Sequence, residues 1–146
     1  MSAFLSILLL LATSAGPNLA VPGQAAVVRP LVEPAARCSA SPRLVVAITA
    51  FTPPRQGAST LVISVRTRDG RTTRLGEVGI YPHQPFTASL ADARRFGFAM
   101  PRRMLGEDPS VTVAVEADGD AAGARAVVGE ARVTPAPQER CQARRR

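Results

Sequence analysis

The chain has 146 residues, which suggests a single domain, and a formal net charge of +7 in which all 18 cationic side chains are arginine. A single histidine excludes a multi-histidine metal site and leaves few parts for histidine-paired nucleophilic catalysis. No segment after the N-terminal region is long and apolar enough to span a bilayer. We therefore expect a non-catalytic protein without a metal, a cofactor or a membrane span.

Residues 1–20 have the pattern of a signal peptide. Their apolar run, Phe4 to Ala12, is nine residues long, shorter than the roughly 20 that a membrane-spanning helix needs. Small residues follow, and cleavage after Ala15 and cleavage after Ala20 both remain open. The run has no Lys or Arg before it, so the alternative is an uncleaved apolar N-terminus. The sequence predicts export, which places the protein in the periplasm or outside the cell.

Two cysteines, Cys38 and Cys141, lie in proline-marked segments on either side of the predicted core. Residues 21–42 form a Pro/Ala-rich lead-in that we expect to be extended, and 134–146 form an Arg-rich tail. In an oxidising compartment an isolated cysteine pair in a small domain usually forms a disulfide, which we predict here. Cross-linking such a long loop removes about 4 to 5 kcal/mol of unfolded-state entropy in the chain model. The alternatives are two unpaired thiols or a metal pair, although two ligands without His or Cys neighbours are too few for a closed zinc site.

Strand patterns begin at Arg43. Residues Arg43 to Phe51 are apolar and β-branched, and two prolines follow them. Ser59 to Thr67 alternates between two faces, which is typical of a half-buried strand. Asp69-Gly70 then predicts a tight two-residue hairpin. The return arm, Thr72 to Tyr81, contains two glycines, where we expect a bulge.

The second half of the chain has more irregular patterns. Phe86 to Leu90 predicts a short strand, and Ala91 to Gly106 ends in what we interpret as a helical turn. Ser110 to Glu116 alternates most regularly, and Ala124 to Val133 is the last predicted strand. Between them, Asp118-Gly119-Asp120 predicts a hairpin, since a calcium loop would need further ligands and a closing Glu.

Several short strands separated by turn residues are typical of a sandwich or a small barrel. We predict an all-β fold, an antiparallel β-sandwich of six to eight strands over residues 43–133, immunoglobulin-like or similar. Its predicted buried residues are Leu44, Val46, Ile48, Leu61, Ile63, Val65, Ile80, Val111, Val113, Val115 and Val127.

Candidate binding residues concentrate in the segment from Gly79 to Phe86. It holds the only tyrosine, Tyr81, the only histidine, His83, and two prolines. The prolines stiffen the segment, so the entropy lost on binding is small, and tyrosine is favoured at interface centres. We predict that Tyr81, His83 and Phe86 bind a partner. The alternative is that Tyr81 and Phe86 fill the end of the sandwich.

The arginines suggest a second type of ligand. A basic surface favours polyanions such as lipid head groups or acidic polysaccharide, and Arg144, Arg145 and Arg146 are the candidate anion-binding residues. The pairs Arg94-Arg95 and Arg102-Arg103 are interpreted as solvated surface, because nucleic-acid-binding modules usually add aromatic stacking platforms.

From Leu75 to Val133 the order of parts resembles a known domain. The chain reads RLGEVGIYPH, a strand with Phe86 and Leu90, an irregular link, SVTVAVEAD, a turn and VVGEARV. This is similar to the β-sandwich domain C-terminal to the copper domain of plant polyphenol oxidases and some bacterial tyrosinases. The resemblance implies a module that covers the active-site mouth of an oxidase, with Tyr81 and His83 nearest to the covering position. It implies no catalysis, because the copper domain is lacking.

These features favour an exported, non-catalytic binding or accessory module that shields or assists another exported protein, a partner oxidase under the resemblance. The alternative is an envelope- or surface-associated protein that binds anionic lipid or polysaccharide through its Arg-rich tail. An enzyme would need a nucleophile and a base, and the sequence offers only His83 and scattered carboxylates.

Overall fold

A computed structural model describes residues 18–137 of the chain. Within this range the structure consists of strands and two 3₁₀ helices, Pro34–Cys38 and Arg102–Gly106. The strands in chain order are β1 (Leu19–Ala20), β2 (Ala26–Val28), β3 (Leu31–Val32), β4 (Arg43–Thr52), β5 (Ser59–Arg66), β6 (Thr72–Gly79), β7 (Phe86–Thr87), β8 (Arg94–Ala99), β9 (Ser110–Ala117) and β10 (Arg125–Thr134).

The strands form two antiparallel sheets that pack against each other. One sheet has six strands in the order β1-β10-β4-β7, with β3 also pairing β10 and β8 also pairing β4. The other has four strands in the order β2-β9-β5-β6. The one parallel pairing among the described strands is that of β3 with β10. The predicted antiparallel β-sandwich is thus confirmed.

The core lies between the central strands of the two sheets. Ten of the eleven predicted buried residues are at most 5% exposed, so the strand patterns identified core positions correctly where they were used. Burying a Val, Leu or Ile side chain stabilises the fold by roughly 1.5 to 3 kcal/mol. This core positions every loop described below.

Val127 is the one predicted core residue that is not buried. Strand β10 instead turns Ala126 and Val128 inward, each with 0% exposure. Register shifts on both sides of Val128 then move the inward positions to Ala131 and Val133. The prediction was wrong because the register shift after Val128 adds one residue to β10 and breaks the period of two, and because a small alanine occupies a core position.

The β5–β6 hairpin forms where Asp69-Gly70 predicted it, but its loop has a different length. The Thr67 amide donates to the Arg71 carbonyl over 2.9 Å, so the loop has three residues rather than two. Gly70 has a φ of +87°, the left-handed conformation that such a loop requires of its last residue.

The bulge expected in the return arm is present. Ile63 pairs with Gly76 while Ser64 pairs with Arg74, which leaves one extra residue in β6. A Cβ on Gly76 would lie 3.0 Å from the Phe98 ring. Glycine here permits the close approach of the two sheets at this edge.

The Asp118-Gly119-Asp120 segment does not form the predicted hairpin. Strand β9 belongs to the four-stranded sheet and β10 to the six-stranded sheet, so this segment crosses between the sheets. It packs along residues 53–58 instead, where the Gln56 amide donates to the Asp120 carbonyl over 3.4 Å. Periodicity alone cannot tell a turn within one sheet from a crossing between two.

The sandwich also begins earlier than residue 43. The segment 21–42, expected to be an extended lead-in, contributes β2 to the four-stranded sheet and β3 to the six-stranded sheet. Ala20 and Ala26 are fully buried. Prolines between these segments limit each strand to two or three residues, and such short edge strands leave no clear alternation in the sequence. Over the described residues the sandwich has ten strands instead of the predicted six to eight, and six of the ten have six or more residues.

The region between Phe86 and Gly106 also differs in detail. The strand predicted from Phe86 to Leu90 ends at Thr87. A further strand, β8, occupies Arg94–Ala99, which the sequence pattern did not assign. The predicted helical turn is present as the second 3₁₀ helix, which ends at Gly106.

The strand register divides the connections between two ends of the sandwich. At the first, here called the loop end, β4 ends beside the start of β10 and β5 begins beside the end of β9. Its connections are 53–58, 80–85 and 118–124. The opposite end, called the arginine end, carries both 3₁₀ helices and the 67–71 turn.

Candidate functional site

The segment 80–85 at the loop end carries the most exposed aromatic side chain among the described residues. It crosses from β6 of the four-stranded sheet to β7 of the six-stranded sheet. Ile80 at its start is 4% exposed, whereas Tyr81, the next residue, is 90% exposed. The alternative in which Tyr81 fills the end of the sandwich is therefore wrong. Phe86, which is half-buried, does pack against the core.

Arg94 connects the two ends of this segment. Its Nη1 donates a hydrogen bond to the Tyr81 carbonyl over 3.2 Å. The guanidinium carbon also lies 4.0 Å from the centroid of the Phe86 ring. A cation over an aromatic face contributes roughly 0.5 to 1 kcal/mol at an exposed site. One side chain thus fixes the backbone at Tyr81 and the ring at Phe86.

Phe51 supports the segment from below. It is 1% exposed, and its ring centroid lies 6.3 Å from Phe86 and 6.1 Å from His83. Both separations are within the range of favourable aromatic pairs. Since Phe51 belongs to the central strand β4 and pairs with Phe86 in register, it connects the loop to the middle of the six-stranded sheet.

His83 points towards Ser59 at the start of β5. The Nε2 atom lies 3.2 Å from Ser59 Oγ, within hydrogen-bond distance. Ser59 is 7% exposed, and no carboxylate within the described residues pairs with the His83 ring. The contact satisfies a buried hydroxyl and fixes His83, and the pair lacks the third group that would orient the imidazole as a base.

A cavity of about 310 Å³ adjoins this segment at the loop end. Phe86, Thr87 and Arg125 are among its lining residues. The Arg125 Nε donates to Thr52 Oγ1 over 3.2 Å, which holds the guanidinium at the rim. The loop end therefore presents a protruding ring, Tyr81, together with a hollow that has a cation at its edge.

Sequence reasoning did not identify three residues that shape this site. Arg94 had been interpreted as solvated surface, and Ser59 and Phe51 only as strand residues. They lie 13, 24 and about 30 residues from their partners in the loop. The signal that was available is the alternation of Arg94, Phe96 and Phe98, which places Arg94 on the inward face of an edge strand.

Two described residues near the cysteines in the sequence, Ser39 and Ala136, approach each other at the arginine end. Cys38 is the last residue of the first 3₁₀ helix, and Cys141 lies outside the described residues. The hydroxyl of Ser39 accepts a hydrogen bond from the Ala136 amide over 3.3 Å. The neighbour of Cys38 thus contacts a residue only five positions before Cys141.

The terminal arginines, Arg144 to Arg146, also lie outside the described residues. The described part of the arginine end is itself basic. Segments 29–43, 66–71 and 100–109 hold eight arginines and four carboxylates. By contrast, segments 52–59, 80–94 and 117–125 of the loop end hold three arginines and three aspartates.

Some of this charge is locally paired. Arg71 Nε lies 2.6 Å from Asp69 Oδ2, and Arg29 lies 3.2 Å from Asp108. The Thr67 hydroxyl, followed by the amide and side chain of Arg71, lowers the pKa of Asp69 below its usual value. A hydrogen bond from Arg132 likewise lowers the pKa of Glu130 on β10.

Over residues 18–137 no group of three or more His, Cys, Asp or Glu side chains is placed to hold a metal ion. In the same range no helix has the length and apolarity needed to cross a membrane. Comparisons with protein-family models, with curated proteins and with solved structures found no match.

Proposed function

We propose that this chain is an exported, non-catalytic binding module that contacts a partner protein through its loop end, with Tyr81 as the central contact. The observation that carries the proposal is the 90% exposure of Tyr81 on a segment whose backbone is held by Arg94. Exposed aromatic rings are costly in water, and at interface centres they are the residues whose loss weakens binding most.

The supporting contacts lower the entropic cost of binding. Ile80 and Phe86 anchor both ends of the segment in the core, and His83 is held by Ser59. Side chains that are ordered before binding lose less conformational freedom in the complex. The loop end thus has the properties of a preorganised contact surface.

The identity of the partner follows from the resemblance to the polyphenol oxidase module. Under that proposal Tyr81 covers the mouth of a partner's copper site, and Arg125 contacts the surrounding surface. The proposed disulfide, Cys38 to Cys141, belongs to the same exported state. The close approach of Ser39 and Ala136 supports it, because it brings the segments that hold the two cysteines together.

Site-specific photocrosslinking tests the surface. Tyr81→p-benzoylphenylalanine should yield a covalent adduct with one exported protein, whereas the same substitution at Val27 should not. Val27 is a matched control, because it is 49% exposed and lies on β2, at the other edge of the four-stranded sheet from β6. Adding Arg94→Gln to the Tyr81 probe should weaken the adduct. Identical adducts at both positions would show that the loop end has no specific partner.

A kinetic assay tests the oxidase identity separately. Purified chain added to a type-3 copper oxidase that lacks its own covering domain should slow diphenol oxidation, and Tyr81→Ala should restore the rate. The rate of diphenol oxidation could stay unchanged at a saturating concentration of the chain while the Tyr81 probe forms an adduct with a different protein. That result would support the binding function and would exclude a copper oxidase as the partner.

The excess of arginine at the opposite end favours a second candidate function, binding to anionic lipid or polysaccharide. Eight arginines against four carboxylates in the described segments add to the three terminal arginines. Such binding should be strong on phosphatidylglycerol vesicles at low salt and should decline as salt screens the charges. Removing Arg144 to Arg146 should weaken it, and Arg55→Gln at the loop end should not. Binding that salt does not affect would exclude this function.

A further inference from the structure

A groove of about 410 Å³ lies at the arginine end, where β4 begins and β8 ends. Its floor is formed by Pro42, which is fully buried, and Met100, which is 3% exposed. The Met100 amide donates to the Pro42 carbonyl over 3.0 Å, so the two floor residues are fixed relative to each other. The groove is therefore part of the folded sandwich.

The lining of the groove is mostly apolar. It includes Ala99, Pro101, Ala136 and Pro137, together with the polar Ser41. Small-molecule sites are usually concave, largely apolar and about 300 to 1,000 Å³ in volume, with a few polar groups that orient the ligand. This groove has that size and that type of lining.

Two arginines, Arg43 and Arg102, lie at its rim. Both are exposed, and neither forms an ion pair with a carboxylate in residues 18–137. Arg29 and Arg71 at the same end do pair with carboxylates. Within the described residues, Arg43 and Arg102 are therefore not neutralised by a carboxylate, whereas Arg29 and Arg71 are.

We propose that this groove binds a small anionic amphiphile, a single acyl chain that ends in a carboxylate. The acyl chain lies along Pro42 and Met100, where it removes apolar surface from water. The carboxylate contacts Arg43 and Arg102, since guanidinium groups donate paired hydrogen bonds to carboxylates. The site is at the opposite end from Tyr81, so it is independent of the proposed partner surface.

The test uses dodecanoate, below its micellar concentration, and the full chain labelled with ¹³C at the methionine methyl groups. The Met100 resonance should shift in a saturable manner. The Met104 resonance is an internal control, because Met104 lies in the second 3₁₀ helix and does not line the groove. Ala99→Trp, a substitution at an exposed wall position, should abolish the Met100 shift.

The charge contribution is tested with single substitutions. Arg102→Gln and Arg43→Gln should each reduce dodecanoate affinity by about threefold to fivefold, the size expected for one exposed ion pair. Arg55→Gln, which removes an arginine at the loop end, should leave the affinity unchanged. Dodecanol should bind the wild-type chain more weakly than dodecanoate does. The Arg43→Gln/Arg102→Gln double variant should bind the two ligands with equal affinity.

Three results would overturn the proposal. The first is a Met100 resonance that does not move with dodecanoate, and the second is a shift that survives Ala99→Trp. The third is a Met100 shift caused by a synthetic peptide of residues 138–146 and not by dodecanoate, which would assign the groove to the chain's own C-terminal segment.

Discussion

The two ends of this sandwich are built on different principles. The loop end is held by a buried ring, Phe51, by aromatic contacts and by backbone hydrogen bonds between two crossing segments. Its charges balance. The arginine end has short 3₁₀ helices, an excess of four arginines over carboxylates and an apolar groove. The loop end presents a protruding aromatic ring to a partner, whereas the arginine end presents an excess of positive charge.

This difference has a consequence that one variable can measure. A contact in which a tyrosine ring becomes buried against a partner depends weakly on salt, because its energy comes mostly from removing apolar surface from water. A contact made by exposed arginines weakens as the Debye length shortens, from about 10 Å at 0.1 M salt to about 3 Å at 1 M. Salt dependence therefore identifies the end at which a given partner binds.

The largest expected effect tests what supports the loop end. Phe51→Ala should lower the free energy of unfolding by about 3 to 5 kcal/mol, because it leaves a cavity beneath Phe86 and His83. Chemical denaturation measures this change. A loss below about 1 kcal/mol would show that the loop is held by its hydrogen bonds and not by this ring.

A smaller effect is expected where two loops touch through their backbones. A Cβ on Gly119 would lie 2.9 Å from the Gln56 carbonyl oxygen, so Gly119→Ala should cost about 1 to 3 kcal/mol of stability. Gly106→Ala is the control at the arginine end, since no described atom lies within 4 Å of its added Cβ. It should change stability by less than about 0.5 kcal/mol. Equal effects at both glycines would contradict the difference in packing between the ends.

A pH-dependent effect is expected at the arginine end. Hydrogen bonds from Thr67 and Arg71 lower the pKa of Asp69 from 3.8. The charged carboxylate of Asp69 therefore stabilises the folded state of the protein. This contribution is present above the unfolded pKa and is lost as the pH falls through the lowered folded value. Asp69→Asn should therefore lower the melting temperature slightly at pH 7, and the difference should vanish in acid. A difference that is as large in acid as at pH 7 would exclude this electrostatic origin.

The sequence predicted the sandwich because several of its long strands show a period of two. In β9, Val111, Val113 and Val115 alternate with Thr112, Ala114 and Glu116, and all three valines are buried. It did not predict the strands of the lead-in, because two or three residues cannot show a period. Val127 was wrongly predicted to be buried, because no local sequence pattern reveals the register shifts in this part of the sheet.

The candidate site was predicted in part for a similar reason. The prolines and the unique tyrosine identified the segment 80–85 as unusual, but the sequence left open whether Tyr81 is buried. That depends on Arg94 and Phe51, which lie far away in the chain and meet the segment only in the folded sheet. Contacts over such sequence distances follow from topology, and composition does not encode them.

The smallest effect on stability is expected for Tyr81→Ala. This variant distinguishes a ring that contacts a partner from a ring that stabilises the fold. Because the ring is 90% exposed and its neighbours are held by Arg94 and Phe51, its removal should change the free energy of unfolding by less than about 0.5 kcal/mol. The same change should reduce partner binding by at least about tenfold, as expected for an aromatic at the centre of an interface. Thermal denaturation and photocrosslinking from a neighbouring loop position, Gln84, measure the two quantities on one variant. Tyr81→Phe should retain most of the binding if the ring provides the contact, and it should lose binding if the hydroxyl does. A Tyr81→Ala variant that binds normally would exclude Tyr81 as the central contact, and partner binding that then weakens with added salt would place the contact at the arginine end.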